Sequence, residues 1–191
     1  MEQPSFIKEI LFNEKKVKMW SHYVLNNLKN RYFERNDNPH NPSDIIVLVV
    51  MNGGKYFSDF LFAKERLGQY NMFKIYYITV SSYENNKKLL NGEIKLDFSG
   101  VPDLENKSVL VVDDIYDSGE TLKAISEELY KRRVLNIENI VLVNRIGYHD
   151  YEIPILSYAL QVTTDDYLVG CGLDYNGDYR DLPYIASVKG K

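Results

Sequence analysis

The chain has 191 residues, 45% hydrophobic and 26% charged, with a formal net charge of -4; this is enough for one domain with a sizeable core and lacks the strongly basic footprint of a general nucleic-acid binder. Its single cysteine, Cys171, excludes an internal disulfide and, with no histidine near it in sequence, reads as a small packing residue rather than a nucleophile. Met1 to Ser5 lacks the charged-then-apolar layout of a signal peptide, and no apolar run approaches the roughly 20 residues of a membrane span, so a soluble, cytoplasmic protein is expected.

From about Glu14 to Tyr32, Val17, Trp20, Val24, Leu25 and Leu28 recur at helical spacing and predict an amphipathic packing helix. Arg35 to Ser43, which contains His40, is a polar loop rich in breakers. Ile45 to Met51 is an unbroken aliphatic run, the pattern of a strand buried on both faces. It leads through Asn52-Gly53-Gly54 into a helix holding Phe57, Phe60 and Leu61. Glycines between a buried strand and a helix suggest a tight turn with accessible amides, an anion nest. Phe73 to Val80 reads as a third strand. After Ser81-Ser82-Tyr83 comes a polar run from Glu84 to Gly92 that is long for a connection in a compact domain. The residues alone fit a lid and a surface hairpin equally, since Glu93 to Phe98 could be a return strand.

Val109-Leu110-Val111-Val112-Asp113-Asp114-Ile115-Tyr116-Asp117-Ser118-Gly119-Glu120-Thr121-Leu122 is the most informative stretch. Four aliphatic residues predict another doubly covered strand, ending in two adjacent carboxylates. A helical pattern follows from Thr121 to Lys131 through Leu122, Ile125 and Leu129. Ser118, Gly119, Glu120 and Thr121 occupy the loop-to-helix junction, where backbone amides and the helix dipole favour an anion. Gly119 permits close backbone approach, and Ser118 and Thr121 add hydroxyl donors. The stretch is a phosphate cradle beside an acidic pair suited to ribose hydroxyls or a hydrated cation.

Ile140 to Val143 is a further buried strand, ending at Asn144-Arg145, and Ile155 to Val162 is the next. This alternation of aliphatic strands with helices predicts an α/β fold with a doubly wound, mostly parallel sheet. In the C-terminal segment, Tyr167 could offer an aromatic face to a planar ligand or be core. Asp174 and Arg180 have the chemistry to hold a metal and an anionic oxygen, or to be surface ion-pair partners.

The central stretch resembles the phosphoribosyl-pyrophosphate (PRPP) signature of the type I phosphoribosyltransferases, which is an aliphatic run, two acidic residues, two variable residues, then Asp-Ser/Thr-Gly-x-Thr. The tail, Tyr167-Leu168-Val169-Gly170, then Leu173-Asp174-Tyr175-Asn176 and Tyr179-Arg180-Asp181-Leu182, resembles the C-terminus of the 6-oxopurine (hypoxanthine–guanine) members. The resemblance implies a single domain over 1–191, with its core at about 45–145 and a base-binding hood mainly from 146–191 with N-terminal contributions.

It also implies the reaction, which is transfer of ribose 5-phosphate from PRPP to a ring nitrogen of hypoxanthine, guanine or xanthine in purine salvage, with Mg²⁺ as cofactor and a homodimer or homotetramer as the assembly. By the same resemblance, Asp113 and Asp114 hold the ribose hydroxyls directly or through Mg²⁺, and Ser118 to Thr121 bind the 5′-phosphate. Asp117 exchanges the proton with the purine ring. Asn52, Gly53 and Gly54, with Arg180, bind pyrophosphate; Ser82 and Tyr83 belong to a closing lid; Tyr167 stacks on the purine, the backbone of Leu168 reads its edge, and Asp174 helps hold Mg²⁺.

Two departures remove positive charge. The family usually has lysines where Asn144 and Asn52 stand, and no lysine occurs between Lys131 and Lys189. The resemblance implies that the residue at the Asn144 position reaches the exocyclic oxygen of the purine; Asn144 can still donate to it through its amide, without the charge assistance of a lysine, while strand alternation predicts that the adjacent Arg145 points to the opposite face. A regulator of the same fold that responds to PRPP, or an enzyme for another base, are the alternative classes.

Overall fold

The computed structural model describes residues 6–34, 44–63, 72–81, 83–84, 87–88 and 94–188. Strand β1 (Ile7–Phe12) precedes helix α1 (Glu14–Lys29), which Asn13 caps by accepting from the Lys16 amide at 3.0 Å; a π-helical turn (Asn30–Glu34) extends it. Then come β2 (Ile45–Met51), α2 (Gly54–Leu61), β3 (Phe73–Ser81), the two-residue strands β4 (Tyr83–Glu84) and β5 (Lys87–Lys88), and β6 (Lys95–Asp97). The rest is β7 (Ser108–Tyr116), α3 (Glu120–Lys131), β8 (Asn136–Arg145), β9 (Ser157–Val162), β10 (Tyr167–Val169) and β11 (Ile185–Val188).

Six strands form the central sheet in the order β6-β3-β2-β7-β8-β9, parallel except for β6, which returns antiparallel against β3. The aliphatic runs are continuous because both faces are covered. On one face α1 and α2 pack Val17, Val24, Leu28, Phe57 and Leu61 against Val47, Val49, Leu110, Val112, Ile140 and Leu142. On the other, Leu122, Ile125 and Leu129 of α3 meet Ile46, Leu48, Val109, Val111 and Val141. The doubly wound α/β fold expected from the pattern is the fold observed. Among the described residues, no helix is long and apolar enough to cross a membrane.

The hood is a separate antiparallel sheet in the order β1-β11-β10. Its small core, Ile7, Val169, Ala186 and Val188, joins the N-terminal strand to the C-terminal segment. The chain leaves β2 for β3 on one side and β7 for β8 on the other, so the order reverses between β2 and β7. A crevice at the carboxyl ends of the strands at such a reversal is where open α/β sheets bind ligands.

Candidate functional site

The crevice is walled by three strand ends. From β7 the chain passes through Asp117, Ser118 and Gly119 into α3. Gly119 has φ of +89°, a left-handed conformation that costs a side-chain-bearing residue about 1–2 kcal/mol. No side chain caps α3 through Gly119, and the hydroxyl of Ser118 accepts from the Glu120 amide at 3.3 Å. The loop and first turn therefore present amides and a helix-dipole end, as a phosphate cradle requires. Thr121 is half-buried beside them, and Glu120 is exposed.

Asp113 and Asp114 lie at the C-terminal end of β7. Asp113 is buried, and its Oδ1 accepts from the Asp114 amide at 2.9 Å. Burial first, and then the neighbouring Asp114 charge, hold the Asp113 carboxyl well above the usual range. Burial also raises Asp114, against the pull of a hydrogen bond from Asp113 and of the nearby Arg180 charge. Two adjacent carboxylates in a site that disfavours their charge match a bound cation, since Mg²⁺ commonly joins one or two carboxylates to phosphate oxygens.

The β2–α2 turn presses against this pair. A Cβ added to Gly53 would lie 1.8 Å from Asp114 Oδ2, and one added to Gly54 would lie 2.7 Å from the Val112 carbonyl oxygen. The Met51–Asn52 peptide is cis, and no side chain caps α2 through Gly53. The hood closes on the same turn, because a Cβ on Gly172 would lie 2.2 Å from the Gly53 carbonyl oxygen. Cys171, beside it, is buried, and burial pushes its thiol up to about 11. It is therefore a protonated packing residue at neutral pH.

Arg180 bonds the Gly172 carbonyl at 2.7 Å and Asp174 Oδ1 at 2.6 Å, while Asp174 Oδ2 accepts from the Gly177 amide at 2.6 Å. Both Asp174 oxygens thus have protein partners, each keeping a further lone pair. Among the described residues, no three His, Cys, Asp or Glu side chains converge on one metal position. Tyr167 is 60% exposed, at the mouth of the hood, with its edge against Tyr175 at 5.6 Å. Leu168 is buried and pairs with Ser187 across the hood sheet. Tyr83 is in β4, paired with Lys88; Ser82 lies outside the described residues. The return strand of the hairpin alternative is present as β6, antiparallel to β3.

The end of β8 corrects one expectation: Asn144 does not face the crevice, and Arg145, on the opposite face, does. Leu142 and Val143 both pack into the layer covered by α1 and α2, so alternation slips by one residue. Asn144 accordingly turns to the α3 side, where its Oδ1 lies 3.1 Å from His149 Nε2. Arg145 turns to the crevice. Its guanidinium donates to Asp117 Oδ2 at 3.2 Å and to the Asp166 carbonyl, just before Tyr167, at 3.1 Å. Buried Arg145 Nε has no hydrogen-bond partner among the described residues. Arg145 is thus a cation between Asp117 and the exposed aromatic that sequence reasoning set aside. The signal was its adjacency to Asn144, and the alternation rule concealed it.

Known proteins share this architecture. The hypoxanthine-guanine phosphoribosyltransferase of Staphylococcus aureus is 35% identical over 113 residues, 59% of this chain and 62% of that protein. The matched region is therefore less than two thirds of that relative's length. A crystal structure of a hypoxanthine phosphoribosyltransferase from the same organism superposes with a TM-score of 0.80 at 27% identity, covering 98% of this chain and 97% of that one. The hypoxanthine phosphoribosyltransferase of Trypanosoma cruzi in complex with the product IMP has a TM-score of 0.82 at 22% identity, over 99% and 98% of the two chains, and shows the shared fold. The family model for the phosphoribosyl transferase domain matches residues 24–176, and to that family the chain belongs.

Proposed function

We propose that the protein transfers the 5-phosphoribosyl group of PRPP to a 6-oxopurine (hypoxanthine, guanine or xanthine), releasing pyrophosphate and forming the nucleoside monophosphate in cytoplasmic purine salvage. One observation carries this reading: the Asp117–Arg145 pair stands between the phosphate cradle at Ser118–Thr121 and the exposed face of Tyr167.

The C1–O bond to pyrophosphate breaks as a C1–N bond to the purine forms, with positive charge building on the ribose ring. Positioning and electrostatics, not a covalent nucleophile, do the work. The amides of Ser118 to Thr121 hold the 5′-phosphate, and Asp113 and Asp114 hold the ribose hydroxyls. The amides of Asn52, Gly53 and Gly54, with Arg180, hold the leaving pyrophosphate. Asp113, Asp114 and Asp174 would hold Mg²⁺, which when bound neutralises charge on the leaving pyrophosphate. Tyr167 stacks on the purine, and the backbone of Leu168 reads its edge. Arg145 donates to the exocyclic oxygen, restoring the charge-assisted contact that Asn144 cannot make. Asp117 takes the ring-nitrogen proton. The working assembly is a homodimer or homotetramer.

The test is pyrophosphate release from PRPP and Mg²⁺ with hypoxanthine, guanine, xanthine and adenine in parallel, identifying the nucleotide by mass. Nucleotide from a 6-oxopurine is expected. PRPP binding without turnover on any base would refute the assignment and favour a PRPP-responsive regulator.

A further inference from the structure

The loop after β8 grips the phosphate cradle from both sides. Ahead of the cradle, the buried Tyr116 ring stacks on His149, with centroids 3.8 Å apart and planes at 15°. Its hydroxyl donates to the Tyr151 carbonyl at 2.6 Å and accepts from the Ile153 amide at 3.0 Å. Within the cradle, the Ser118 carbonyl accepts from the amides of Asp150 and Tyr151 at 2.9 and 3.1 Å. Beyond it, the ammonium of Lys123 on α3 sits 4.0 Å above the Tyr151 ring. His149 is itself tethered to Asn144 at the end of β8. The fit is close, because a Cβ on Gly119 would lie 2.8 Å from the Tyr151 carbonyl oxygen and 3.0 Å from the Tyr116 ring.

We infer that residues 149–153 are a brace that fixes the Ser118–Thr121 loop in its anion-binding shape before any ligand arrives, with Tyr116 and His149 as its positioning residues. Neither is assigned a ligand contact; both act through Ser118 and Gly119. The beneficiary is the phosphomonoester end of a sugar phosphate. A loop that is competent only part of the time loses affinity in proportion to that fraction, so a brace loosened until about one loop in ten is competent weakens binding about tenfold. The buried Tyr116 hydroxyl, with a donor and an acceptor that both depend on it, is the joint most exposed to substitution. The inference rests on the proposed PRPP chemistry, and the experiment separates the two.

Ribose 5-phosphate and PRPP are titrated calorimetrically into wild type, Tyr116→Phe and His149→Ala, and KM is measured for PRPP and for purine. Tyr116→Phe keeps the ring and removes both hydroxyl bonds, whereas His149→Ala removes the stack and the tether. The expected result is about tenfold weaker binding of both sugar phosphates and a matching rise in the KM for PRPP, with the KM for purine within about twofold. Equal affinities in wild type and variants, with only a lowered melting temperature, overturn the brace. A wild type that binds neither sugar phosphate overturns the functional reading beneath it. Should a variant not fold, amide exchange in ligand-free wild type decides. Protection at Asp150 and Tyr151 supports the brace, and exchange at the rate of an open loop overturns it.

Discussion

Gly172→Ala tests whether the hood and the core share one rigid seam. Gly172 has φ of +105°, and an added Cβ would meet the Gly53 carbonyl oxygen at 2.2 Å and Tyr56 Cβ at 3.3 Å. Ordinary contact begins at 3.4 Å, so the carbonyl and the new methyl must part by about 1.2 Å. Gly53 has little room to retreat, because a Cβ placed on it would already lie 1.8 Å from the Asp114 carboxylate. The left-handed backbone costs about 1–2 kcal/mol and the overpacking about 1–3 kcal/mol, together roughly 2–5 kcal/mol. For a chain of this length that lowers Tm by roughly 4–20 °C.

Gly100→Ala is the control, since φ there is +86° with nothing within 4 Å of the added carbon. It carries the backbone cost without the clash. Scanning calorimetry should give a larger loss for Gly172→Ala than for Gly100→Ala, and only Gly172→Ala should raise the KM for PRPP. Equal melting temperatures in the two variants would refute the claim that this seam is tight.

Further outcomes follow from the carboxylates and the aromatic. Asp113→Asn should stabilise the ligand-free protein by about 0.5–2 kcal/mol while abolishing PRPP turnover. The folded-state pKa of Asp113 is raised, so its ionised form weakens the fold progressively as pH rises through that value. The Tm gap to wild type should therefore be larger at neutral pH than at about pH 4, where the unfolded carboxylate is also protonated. Glu138 has the opposite sign. Burial pulls it up, but hydrogen bonds from Arg31 and Tyr32 outweigh that and hold it below the ordinary value. Its stabilisation is present above the unfolded pKa and lost as pH falls through the folded one, so Glu138→Gln should lower Tm at pH 7 but not below about pH 4. Tyr167→Ala should remove a stacking contact of about 1–3 kcal/mol, seen as a roughly tenfold rise in the KM for purine with the KM for PRPP unchanged. Asp117→Asn should lower kcat by about 10²–10⁴ with little effect on PRPP affinity; unchanged turnover would remove its acid–base role.

The central sheet was legible because its strands are covered on both sides. Ile45 to Val50 and Val109 to Val112 are buried without interruption, so each run identifies itself. The hood was not. Strands β10 and β11 have three and four residues, β1 pairs through two register irregularities, and its partner β11 lies at the opposite end of the chain. No local period can report such a pairing. The junction from Asp113 to Thr121 was legible because it is local, a strand, a loop and a helix start in one stretch. Arg145 was not, because its direction depends on a slip in pleat at Leu142–Val143, which only packing between layers reveals. The His149–Tyr116 stack likewise joins residues from two different strand–loop junctions, and neither aromatic carries a motif.

Strand β11 sits between β1 and β10, with Ile7 opposite Val188 and Tyr167 also opposite Val188. During synthesis β11 is the last of these strands to leave the ribosome, after every strand of the central sheet. The parallel core can condense around the cradle while Ile7–Phe12 still lacks a partner, since domains begin to fold as chain emerges. The hood sheet is complete only when β1 pairs with β11, the pair most distant in sequence among the described strands and the kind of contact that slows folding. A nascent chain should thus order the β7–α3 loop before the hood sheet, and a chain arrested short of Ile185 would hold a formed central sheet beneath an unassembled hood.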